Sequence, residues 1–122
     1  MIPVCDGCVV ILFKTLRFSL ALLLASVSLA VIAAEKPEFN LVIKNHQFQP
    51  AELVIPAGVK VVINVDNRDS TPEEFESHEL NREKVIPGNT KAKVFIGPLS
   101  AGEYPFFGEF HAATAQGKVI AK

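Results

Sequence analysis

The sequence predicts an all-β fold, and three observations carry that reading. Apolar and polar residues alternate with period two in several short runs, as in half-buried strands. Pro, Gly, Asn and Asp separate those runs roughly every eight to twelve residues, the rhythm of an antiparallel sandwich or barrel. No stretch keeps apolar residues at a helical spacing, although Ala112 to Gln116 has room for a single turn.

Taken in order, the first strand is Phe39 to Lys44, with Phe39, Leu41 and Ile43 on one face. Pro50 interrupts, and Leu53 to Ile55 forms a short β-rich run. Pro56-Ala57-Gly58 turns the chain. Val59 to Val65 is β-branched almost throughout, which suits a strand buried on both faces. A polar loop, Asp66 to Ser70, follows. Glu73 to Ser77 and Glu83 to Ile86 read as two short strands, and Pro87-Gly88-Asn89 as a turn. Lys91 to Ile96, Glu103 to Phe107 and Lys118 to Ala121 complete the set.

The first 34 residues read differently. Phe18 to Ala34 carries no charge, follows Lys14 and Arg17, and ends in small residues. That is the pattern of a secretory signal peptide, with an uncleaved membrane anchor as the alternative. The expected organisation is a leader over 1–34 and a single domain over 35–122, exported to the periplasm. Both cysteines, Cys5 and Cys8, lie upstream of the apolar run, so their C-x-x-C spacing has no domain around it. The only methionine is Met1, so the expected domain has no soft sulfur ligand. Lys and Arg number 12 against 13 Asp and Glu, which excludes a strongly basic nucleic-acid binder. No Gly-rich phosphate loop is present, and no serine sits in a nucleophile motif.

Two phrases resemble the cupredoxins, the Greek-key sandwich of small copper proteins. The first is Phe48-x-Pro50-Ala51-Glu52-Leu53-x-Ile55-x-x-Gly58-x-x-Val61. The second is Gly102-x-Tyr104-x-Phe106-Phe107, then His111, then Gly117-x-Val119. The resemblance implies a cupredoxin-like Greek-key β-sandwich or barrel of about seven to eight strands. It also implies a metal site that this chain has altered. A blue-copper centre needs a Cys thiolate, two His and a weak axial Met. Gly108 stands at the place of the family's Cys, Ala115 at that of the Met and Glu73 at that of the first His. Only His111 matches a family ligand.

The residues around those places suggest a substitute. Glu74 and Glu76 are two apart and share a face if they lie on a strand. Glu109 and His111 are also two apart, beside the family's ligand loop. Converging, Glu74, Glu76, Glu109 and His111 would make a hard site for copper(II) or iron. Glu83, His78 and His46 are weaker candidates, better explained by an ion pair, a solvent-facing His and a position far from the ligand end. The pattern E-E-F-E-S, R-E-K-V-I-P-G and F-F-G-E-F-H is similar to the EfeO-type cupredoxin-like branch. That resemblance implies a periplasmic accessory of bacterial iron uptake, beside a membrane iron permease, with a copper or iron ion. The competing reading is a metal-free cupredoxin-fold module that docks a permease or another partner. Glu74 and Glu76 would then be the solvated face of an edge strand.

Overall fold

Nine strands build two facing sheets in the computed structural model, which describes residues 28–122. Residues 34–122 form one unit, and the strands belong to it. Most of the expected leader, and both cysteines, fall outside the described residues; residues 28–37 have no regular secondary structure. The strands are β1 (Glu38–Lys44), β2 (Gln47–Gln49), β3 (Glu52–Ile55), β4 (Val61–Asn67), β5 (Glu73–Ser77), β6 (Arg82–Ile86), β7 (Lys91–Ile96), β8 (Gly102–Gly108) and β9 (Gln116–Ala121). One sheet runs β2-β1-β4-β7 and the other β3-β9-β8-β5-β6.

The period-two pattern does what the sequence predicts. Leu41 and Ile43 of β1, Val61, Ile63 and Val65 of β4, and Val94 and Ile96 of β7 point inward from one sheet. Leu53, Ile55, Phe75, Ile86, Phe106, Val119 and Ala121 meet them from the other. Phe48, Phe75 and Phe106 form an aromatic centre, with ring centroids 5.0 to 6.2 Å apart. Such contacts add to the burial of the rings themselves.

Four details depart from expectation. Gln47–Gln49 is a ninth strand, because the chain reverses over only two residues after β1 and pairs Lys44 with Gln47. Strand β4 begins at Val61, not Val59, since the chain is still leaving the turn at Gly58, whose φ is +74°. The single helical turn is a 3-10 turn over Glu109–His111, ahead of the place expected for it. The sheets are also not purely antiparallel: β1 lies parallel to β4, and β3 parallel to β9.

Candidate metal centre

Three loops meet at one end of the sandwich, and each delivers one side chain. The first is the two-residue turn Asn45-His46, where both residues have positive φ, +51° and +57°. Such a turn matches the twist of a β-hairpin, and Asn and His tolerate the conformation better than bulkier residues. Asp69 holds it. Its carboxylate accepts the backbone N–H of Asn45 at 2.8 Å and that of His46 at 2.9 Å. The hydroxyl of Thr114 donates to the His46 carbonyl at 2.7 Å.

The second loop leads into β5. Buried Asn67 donates through its side-chain amide to the carbonyls of Thr71, Ile86 and Pro87, and accepts the N–H of Asp69. These bonds fix where β5 starts and therefore where Glu73 points. Glu73 is 1% exposed. One of its oxygens accepts the backbone N–H groups of Glu74 and Phe110, each at 3.0 Å. The other lies 2.6 Å from Nδ1 of His111. His111 ends the 3-10 turn, which is the third element.

The His46 and His111 rings are stacked, with centroids 3.6 Å apart and planes 14° from parallel. One ligand atom from each of His46, Glu73 and His111 lies within 4.8 Å of the other two. Among the described residues, no other group of three His, Cys, Asp or Glu gathers so closely. A carboxylate and two imidazoles suit Cu(II), Fe or Zn. The Glu73–His111 pair is already in contact. His46, intermediate in exposure, must turn its ring out of the stack to converge with it.

A blue-copper centre does not fit here. A Cβ at Gly108 would lie 2.6 Å from Cδ of Glu73 and 2.7 Å from Cβ of Ala115. The Glu73 carboxylate fills the space into which a side chain at 108 would project, so that position supplies no thiolate.

The four residues singled out from sequence part company. His111 stands in the cluster. Glu74 and Glu76 do not enter it, because β5 alternates: Glu73, Phe75 and Ser77 face inward and Glu74 and Glu76 face the other way. Glu109 is exposed at the start of the 3-10 turn. Glu74 and Glu109 lie instead in an acidic group with Glu76 and Glu83. A hydrogen bond to Glu83, then burial, then the charges of Glu83, Glu76 and Glu109 push the Glu74 carboxyl above the usual range. In the sequence, Glu73 stands only at the place of a family ligand, and His46 lies in a phrase far from the expected ligand end. The left-handed turn that presents His46 has one visible signal, an Asn-x pair between two β-rich runs.

Asp69 gives a direct test of how His46 is held. Bonds from His46 N–H, opposed by burial, and from Asn45 N–H keep its carboxyl below the ordinary value. A depressed folded-state value stabilises the fold above the unfolded pKa, about 3.9 for Asp. That contribution disappears as pH falls from there through the folded value. Asp69→Ala is expected to cost about 1–2 kcal/mol at pH 7, since two bonds to a charged acceptor are lost at a partly exposed site. Urea unfolding at pH 7 and again near pH 3 measures it, and the gap between variant and parent should close at the lower pH.

The sequence profile of the cupredoxin-like domain matches residues 16–121, and the chain belongs to that family. An uncharacterized protein of Rickettsia prowazekii (strain Madrid E) is 41% identical over 83 residues, spanning 68% of this chain and 66% of that protein. Among solved structures, auracyanin A, a "blue" copper protein from Chloroflexus aurantiacus, superposes with a TM-score of 0.64. It is 16% identical and covers 72% of this chain and 100% of its own. Amicyanin from Paracoccus versutus gives a TM-score of 0.56 at 19% identity, covering 76% of this chain and 87% of its own. These structural likenesses establish an all-β cupredoxin-like sandwich. The protein is thus a cupredoxin-fold member with a candidate His/Glu metal site where blue-copper relatives need a thiolate.

Proposed function

We propose that the protein binds one copper or iron ion through His46, Glu73 and His111. The observation that carries this reading is the gathering of two imidazoles and a buried carboxylate at the end of the sandwich, with one ligand atom of each within 4.8 Å of the other two. Hard oxygen favours Fe(III) over Fe(II) and disfavours Cu(I). A site of this kind therefore stabilises the oxidised ion. In the setting suggested by the apolar leader and the EfeO-type sequence pattern, the protein is exported to the periplasm. There it serves an iron-uptake system as an accessory, handing iron to a membrane permease and favouring its ferric state.

Titration of the metal-free full chain with Cu(II), Fe(II), Fe(III) and Zn(II), beside His111→Ala, tests the reading. Binding at about micromolar Kd or tighter, lost in the variant, is the expected result. Equal and weak binding in both proteins would overturn it and leave the protein as a metal-free docking module.

A further inference from the structure

We propose that Asp69 is a positioning residue of the metal centre: its carboxylate keeps the proton of the His46 ring on Nδ1, so that His46 binds the ion through Nε2. The inference rests on the reading that His46, Glu73 and His111 hold an ion.

A neutral imidazole offers a metal one of its two nitrogens, and the partner of the other nitrogen decides which. For His46 that partner is Asp69. One carboxylate oxygen of Asp69 lies 3.6 Å from Nδ1 of His46 and also accepts the backbone N–H of the same residue at 2.9 Å. A distance of 3.6 Å is too long for a hydrogen bond. Negative charge so near still favours the ring form whose facing nitrogen carries the proton. His46 must also leave its stack on His111 to bind, and a bond from Nδ1 to Asp69 offsets the contact given up.

The surroundings leave the ring alone free to move. The His46 N–H is tied to Asp69, and its carbonyl accepts the Thr114 hydroxyl at 2.7 Å. Asp69 is itself pinned on both sides. Its N–H donates to the side-chain oxygen of Asn67 at 3.0 Å, and its carbonyl accepts the N–H of Asn89 at 2.8 Å. Its side chain is 12% exposed, so water competes little for the carboxylate. Residues that orient a ligand from behind in this way work by being fixed before the ion arrives. Holding the turn requires only the bonds to the N–H groups of Asn45 and His46. The oxygen set against the ring nitrogen is the further feature that points to the metal.

Nitrogen-15 NMR of the metal-free full chain, at a pH where the imidazoles are neutral, reads where the His46 proton sits. It is expected on Nδ1 in the parent and shifted toward Nε2 in Asp69→Ala. Titration with Cu(II) measures the consequence. Asp69→Ala should bind about 10–100-fold more weakly than the parent. Pulsed EPR should count two coordinated imidazoles in the parent and one in the variant. Asp69→Asn keeps an oxygen for the turn but loses the charge; it should lose affinity as Asp69→Ala does, yet melt nearer the parent. In a His46→Ala background, removing Asp69 should change Cu(II) affinity by no more than about twofold, because Asp69 acts through His46. A His46 proton on Nε2 in the parent would overturn the proposal. So would an Asp69→Ala or Asp69→Asn protein that holds Cu(II) through two imidazoles at parental affinity. A parent that binds no Cu(II) would overturn the metal reading, and this one with it.

Discussion

Glu73→Gln is expected to abolish metal binding while leaving the fold standing. The amide keeps an oxygen for the N–H groups of Glu74 and Phe110. Its NH₂ group can donate to Nδ1 of a neutral His111, where the carboxylate now lies at 2.6 Å. Stability should therefore change by about 1 kcal/mol or less. What disappears is the charge and the second oxygen that a metal requires. Supporting residues around metal sites alter affinity by about 10–100-fold. Removing a ligand itself should reach or exceed the upper figure. Glu73→Ala separates the two roles further. It orphans two backbone N–H groups and leaves a cavity beside Gly108, at a cost of about 2–4 kcal/mol. Urea unfolding and metal titration of both variants give the comparison. A Gln variant that binds as well as its parent would remove Glu73 from the metal centre.

The second large effect comes from a methyl group. Gly108→Ala places a carbon 2.7 Å from both Glu73 Oε1 and Ala115 Cβ, closer than packed atoms allow. Neither neighbour can retreat cheaply. Glu73 is tied through both of its oxygens, and Ala115 is fully buried with its N–H on His111 and its carbonyl on Gly108. Gly108 has φ of −92°, so its backbone suits any residue and the penalty is one of space alone. Overpacking of this kind costs about 1–3 kcal/mol. The same displacement should weaken metal binding, since it moves Glu73 away from His111. Urea unfolding and metal titration measure the two effects. A Gly108→Ala protein with unchanged stability and affinity would show that the Glu73 carboxylate is free to move.

Both effects depend on residues whose roles were unevenly legible in the sequence. The sandwich was legible because Phe39, Leu41 and Ile43 obey a period of two, because Val59 to Val65 is β-branched almost throughout, and because Pro and Gly mark the turns. The parallel pairings were not, since nothing in β1 or β3 specifies which distant strand lies beside it. Strand β5 shows how the site was half seen. Glu74 and Glu76 were correctly placed on one face, but Phe75 between them was the stronger clue. An aromatic residue there faces the core, so the residues sharing its parity, Glu73 and Ser77, face inward too. His111 was visible through its fixed place after the Tyr-x-Phe-Phe strand. His46 was not, because it reaches the site through a strained turn and a carboxylate from another loop, a contact that leaves no spacing to read.

The parallel pairing of β3 with β9 has a consequence for how the protein comes into being. Leu53 and Ile55 find their strand partners at Val119 and Ala121. The sheet that carries Glu73 therefore stays unfinished until β9 is available. Contacts between such distant segments bear a large loop-closure cost before they return any stability, and folds rich in them form slowly. Early segments emerging from synthesis have no complete sheet to join. His111 lies just ahead of β9, so the candidate site, like the sheet, joins residues from both ends of the domain, His46 and Glu73 with His111.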